Sequence, residues 1–238
     1  KIMALPKLNT PTYELELPST GEILKYRPFL VKEQKLLLIA QESGEDSQIT
    51  TAMGELVKTC TFNKIDPKIA PMFDIEYIFL KIRGKSVGEK VELNLLCPDD
   101  GKTTVKKTIN INDIEVQMDE NHTNKVKITD DIELEFRYPV IADMTGIMTK
   151  SVSEIEKIFY FLNSCIESIT FGDDIHHRVD LKDKEIIDFI DSMTGDQFET
   201  LTEFFNTMPK LRHIINVTNP KTKKKNEILL EGLESFLG

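Results

Sequence analysis

The chain begins with a period-two pattern. Tyr13, Leu15 and Leu17 alternate with Glu14 and Glu16, as in a strand with one buried face. Pro18-Ser19-Thr20-Gly21 reads as a turn, because Pro presets φ and Gly accepts positive φ. The return strand runs through Ile23 and Tyr26, so residues 12–29 are expected to form a hairpin. The period then changes. Leu36, Leu37, Leu38 and Ile39 predict a helix that follows Lys32-Glu33 and stops at Ser43-Gly44. Ile49, Met53, Leu56, Val57 and Cys60 form the apolar stripe of a second helix. Pro67 and Pro71 break the chain. Ile75, Ile78, Phe79 and Ile82 predict a third helix over 74–83.

Alternation returns after Gly84. Val91, Leu93 and Leu95 predict a strand, Pro98-Asp99-Asp100-Gly101 a hairpin turn, and Val105, Ile109 and Ile111 its return. A second strand pair is expected through Val126 and Ile128, then Ile132, Leu134, Phe136 and Tyr138, closed by Pro139. Residues 151–208 read as mainly helical. Ser151 and Glu154 have capping-box spacing, and Ile155, Ile158, Phe159, Leu162 and Ile166 supply a core face. Ile186, Phe189, Ile190 and Met193 mark the next helix. Thr194 with Gln197 starts another, with Phe198, Leu201, Phe205 and Met208, stopped by Pro209. A last hairpin is expected from Ile214–Val217 to Ile228–Leu230, around the turn NPKTKKKN. No repeat or low-complexity tract is evident. The expected fold is α+β. It has an N-terminal hairpin plus helices (1–86), a central antiparallel β-rich subdomain (87–140), and a helical C-terminal part with a terminal hairpin (141–238).

Composition narrows the function classes. At 238 residues, 40% hydrophobic and 29% charged, the chain has the material for an ordinary core. Its net charge of −10 argues against nucleic acid, whose binders present a basic face. The dense basic run is Lys221, Lys223, Lys224 and Lys225, read as a hairpin tip kept soluble by charge. Three scattered cysteines, Cys60, Cys97 and Cys165, point to free thiols in a reducing compartment. No stretch approaches the roughly 18 apolar residues that cross a membrane, and no secretion signal is evident, so synthesis in the cytoplasm is expected. Asn121-His122-Thr123 and Asn216-Val217-Thr218 match a glycan acceptor, which has meaning only in the secretory route. Met3 offers a start that would leave Lys1 and Ile2 upstream.

Candidate chemistry is thin. Gly84-Lys85-Ser86-Val87-Gly88 has the spacing of a nucleophile elbow, but a helix precedes it and a strand follows, the reverse of what the motif needs. A helix-to-strand loop is the expectation there. The phosphate-loop reading fails, because position 79 is Phe. Asp173, Asp174, His176, His177 and Asp180 are the densest potential ligands, yet adjacent histidines diverge on strand or helix. A polar loop leading to a helix capped by Asp180 or Asp183 is expected instead. Cys97-Pro98-Asp99-Asp100-Gly101 has Asp where a zinc knuckle has its second cysteine. Glu14 with Glu16, and Asp99 with Asp100, read as solvated acids rather than a catalytic pair. No catalytic residue, metal or cofactor is expected.

Four long blocks carry a resemblance: KYRPFLVKEQKLLLIA (25–40), FDIEYIFLKIRGKSVGE (73–89), LNLLCPDDG (93–101) and FGDDIHHRVDLKDKEIIDFIDSMTGDQFETLTEFFNTMPKLRH (171–213). In order and content they resemble the baseplate hub subunit family of T-even-type contractile-tailed bacteriophages. The resemblance implies a protein that helps build the central hub, made in the host cytoplasm and, if retained, held in the virion tail baseplate. Its partners would be other tail and hub proteins. It carries over no catalytic residues. Two rivals are a transient assembly chaperone for the hub or tape-measure protein, absent from the virion, and a cell-wall hydrolase. Phe204, Met208, Pro209, Leu211 and Arg212 are the expected partner interface. Pro209 turns the chain away from the packed helix face there, and Arg and Met are favoured at interfaces.

Overall fold

The structure is a computed structural model that describes residues 8–148 and 153–236. The readings of Met3 and of Ser151 fall outside those residues. The fold is α+β, with seven α-helices and eleven strands among the described residues.

A hairpin, β1 (Tyr13–Glu16) and β2 (Ile23–Tyr26), opens the chain, with Gly21 at φ 71° in its turn. Helices α1 (Val31–Ser43), α2 (Asp46–Cys60) and α3 (Met72–Val87) follow. Gly44, in the left-handed region at φ 68°, ends α1 as expected. Helix α3 runs past the expected end, because Gly84 sits against Ile111 and Ser86 bonds back to the Ile82 carbonyl. The loop expected at Gly84 is thus a helical turn, and the chain leaves the helix only at Gly88 (φ 114°). Strands β3 (Lys90–Leu96) and β4 (Thr104–Asn110) form the next hairpin. A 3-10 turn (Ile111–Asp113) and β5 (Glu115–Gln117) complete this half.

The second half begins with β6 (Lys125–Lys127) and β7 (Ile132–Phe136), then α4 (Ile141–Met148) and α5 (Glu154–Cys165). Helix α5 is capped by Ser153 with Glu156. Ile166 does not belong to α5. It starts β8 (Ile166–Phe171), which pairs with β7 and with β9 (Asp174–His177) in the sheet order β6-β7-β8-β9. Helix α6 (Asp183–Asp191) is preceded by Lys182, whose N–H bonds the Glu185 carboxylate, so neither Asp180 nor Asp183 is its cap. Helix α7 (Gly195–Thr207) has the expected Thr194–Gln197 box. The last hairpin, β10 (Lys210–Thr218) and β11 (Lys225–Glu231), gains β5 as a third strand.

The halves repeat one another, which the sequence reading missed. Each runs hairpin, two helices, a further helix, hairpin and 3-10 turn, the last 3-10 turn being Leu233–Phe236. Buried positions correspond: Leu24 with Leu134, Tyr26 with Phe136, Phe79 with Leu201, Ile82 with Phe204, Leu93 with Ile215, and Leu95 with Val217. Between α5 and α7 the second half adds β8, β9 and α6.

There are two cores. One gathers β1, β2, α2, α3, β3, β4 and the terminal hairpin around Ile75, Ile78, Ile82 and Phe236. The other gathers β6, β7, β8, α5, α6 and α7 around Leu134, Phe136, Leu162 and Phe204. Each fully buried Ile or Phe contributes about 1.5–3 kcal/mol. The division at 86/87 and 140/141 therefore cuts across the cores. Hairpin β3–β4 serves the first core, β6–β7 the second, and β10–β11 returns to the first. The cores are joined where α4 packs on α2, where Met72 N–H bonds Pro139 O (2.8 Å), and where Phe73 meets Tyr138 edge-on (5.1 Å).

Candidate interaction surfaces

In each half, the junction between the opening hairpin and the first helix is latched by the same device. Arg27 leaves β2 with its N–H bonded to the Cys60 carbonyl. Its guanidinium reaches Pro28 O and Glu33 (3.0 Å), and Glu33 accepts the Leu30 N–H at the start of α1. Arg137 leaves β7 with its N–H bonded to the Cys165 carbonyl and grips Asp143 with both terminal nitrogens (2.6 and 2.9 Å). Asp143 accepts the Val140 N–H before α4. A carboxylate at a helix start satisfies a free donor and suits the dipole, and the arginine fork fixes the angle at which the chain enters the helix. Burial works to raise the Glu33 pKa, but bonds from Arg27 and Leu30 outweigh it and the net shift is downward. The two cysteines are buried. Their thiols are pushed up to about 11 (Cys60) and about 12 (Cys165) by burial, so they are packing groups rather than nucleophiles. The signal was present in LKYRPFLVKE (24–33) against LEFRYPVIAD (134–143): Leu, aromatic, Arg and acid at matching spacings.

The other polar candidates also have structural partners. Ser86 Oγ donates to Ile82 O (2.6 Å) and accepts the Phe29 N–H (3.0 Å), with no strand before it and no base beside it. Asp99 accepts from Asn219 and Thr222, while Asn226 accepts the Asp99 N–H. Asp100 caps Lys102 and Thr103, and the hydrogen bond from Thr103 leads the causes that hold its carboxyl well below the usual range. The tips of hairpins β3–β4 and β10–β11 are thereby tied together. Lys221, Lys223 and Lys224 lie in the exposed turn beside them, and exposed Lys225 opens β11. Glu14 is an exposed partner of Lys25 (3.6 Å).

Asp174, His176 and His177 lie on exposed β9, where adjacent histidines face opposite sides of the sheet. Asp173 is in the preceding turn and Asp180 in the 3-10 turn that follows. Among the described residues no three His, Cys, Asp or Glu side chains come together to hold a metal.

The five expected interface residues do not form one exposed patch. Phe204 and Leu211 are buried, one in each core. Phe204 stacks on Phe136 (4.8 Å), and Leu211 pairs with Val116 in the sheet. Met208 and Pro209 line a cleft of about 260 Å3 between the cores. Arg212 is paired with Glu231 (2.7 Å). Their apolar spacing was that of a core helix running into a strand.

Two exposed apolar surfaces stand out instead. On α1, Leu36 and Ile39 are about half exposed, at 57% and 53%, along a shallow groove shared with α2. In the second half, Phe171, Ile175 and Val179 are exposed around β9.

A scan against protein-family models matches residues 10–238 to a family described as T4 bacteriophage base plate protein. No curated protein and no solved structure matches.

Proposed function

The chain belongs to the T4 bacteriophage base plate protein family, and from that membership we propose that it is a structural part of the central hub of a phage tail baseplate, acting by protein–protein binding. The match over residues 10–238 carries this reading, since it spans both repeated halves and both cores. No helix among the described residues is long and apolar enough to cross a membrane. The polar groups of the motif-like segments are engaged in building the fold, as Ser86, Asp99 and Asp100 illustrate. Those engagements support a role in which the two halves form a stiff body and the exposed apolar surfaces meet other tail proteins. The cell-wall hydrolase reading has no supporting geometry at Ser86.

Mass spectrometry of purified virions tests the proposal. The chain is expected in finished tails at a fixed ratio to other baseplate proteins. If assembly requires it but finished tails lack it, the transient-chaperone reading replaces this one.

A further inference from the structure

The second half carries a segment, residues 166–194, that the first half lacks. After the Arg27–Cys60 bond the chain turns away through Phe62 and Asn63, both at positive φ. After the matching Arg137–Cys165 bond it continues into β8, β9 and α6. This added segment leaves its sheet open. Strand β9 is the outer strand, and all four of its residues are exposed. The opposite edge, β6, carries Lys125 and Lys127, charges that discourage strand pairing. Strand β9 has neither lysine nor proline.

One face of the added sheet is also unfilled. Ile132, Ile169, Phe171 and His176 share that face by register. With Leu181 and Phe189 they line a cleft of about 290 Å3 between the sheet and α6. Phe171 is 58% exposed and Val179 90% exposed. The surroundings are acidic. Residues 171–191 hold seven carboxylates against three Lys or Arg, and one of those, Arg178, is paired with Asp183.

We propose that this segment docks an extended, basic stretch of another tail protein, which adds to β9 as a fifth strand and seats an apolar side chain in the cleft beside Phe171. The open edge supplies main-chain hydrogen bonds. The cleft on a single face selects alternating apolar residues, and the acidic rim selects cations between them. The inference rests on the reading that the chain works by binding tail proteins.

The probe is a blocked octapeptide of alternating Lys and Val or Ile, tested on the full chain by amide hydrogen exchange. A peptide of the same composition in block order is the control. The alternating peptide should slow exchange at Asp174–His177, and Phe171→Lys should weaken its binding at least tenfold. Because Phe171 is largely exposed, an unchanged melting temperature will show that this variant is folded. The proposal is overturned if β9 gains no protection, if the block-order peptide protects it equally, or if Phe171→Lys binds as tightly. It is also overturned if β9 proves to be covered by a second copy, seen as concentration-dependent association without peptide. A phage arm separates the two readings. If the wild-type chain is retained in tails and the Phe171→Lys chain is retained equally, the docking site is wrong while the baseplate reading stands. If the wild-type chain is itself absent, that reading fails first.

Discussion

Arg27 and Glu33 are the residues on which the first half turns. Their side chains are 12% and 4% exposed, so neither finds enough water to replace the other. Removing the cation leaves the buried carboxylate only the exposed Lys32 ammonium (3.4 Å) and the Leu30 N–H as partners, which costs about 1–3 kcal/mol. Arg27→Ala should lower the urea midpoint accordingly, and Arg27→Lys should recover little of it, since an ammonium cannot reproduce the fork that reaches both Pro28 O and Glu33. Glu76 behaves in the opposite sense. Burial raises its carboxyl to about 7, against the Leu233 N–H bond that lowers it, with Glu234 and Glu231 adding to the rise. Its folded pKa lies above the ordinary 4.5, so its stabilising contribution is complete below about 4.5 and is lost as pH rises toward about 7. Glu76→Gln should be the more stable protein at pH 8, by on the order of 1–2 kcal/mol, with no advantage at pH 4. Thermal melts across that range read the difference. At Gly54 an added Cβ would run into Ile141 of α4 and Pro67. Gly54→Val should cost about 1–3 kcal/mol through overpacking and loosen α4 from α2, seen as faster amide exchange in α4.

Elements were legible where one periodicity ran long enough between clear stops. Hairpin β1–β2, helices α2 and α7, and hairpin β10–β11 follow from alternation, apolar stripes and Pro or Gly punctuation. Ile166 was misread because IESITF follows the α5 stripe without a Gly or Pro, so only pairing with β7 decides that it is strand. The end of α3 was misread for the reverse reason: Gly84 is a helix breaker in isolation, but here it is buried against Ile111 and the helix continues through it. Short β5 and β9 carry too few residues to show a period, and long-range pairing defines them. The bonds from Asp99 to Asn219 and Thr222 are likewise invisible in sequence. Asp99→Ala should speed amide exchange at both hairpin tips while moving the melting temperature by only a few degrees.

On the scale of the molecule, the repeat was hidden because its halves keep pattern rather than identity and because residues 166–194 interrupt the second. The expected interface residues do not share one exposed face, for a related reason. Phe204 and Leu211 were chosen for apolar character beside a helix stop, and the terminal hairpin carries that character back into the first core. Exposed apolar surfaces cannot be told from core by spacing; they emerge once the interleaved halves have claimed their own apolar residues, leaving α1 and the region around β9 uncovered. A density map of the assembled baseplate would locate this fold outright. The two-core body is expected in the central hub with its β9 side against another tail protein. Density for this fold confined to the outer wedges, or absent from the finished plate, would contradict that placement.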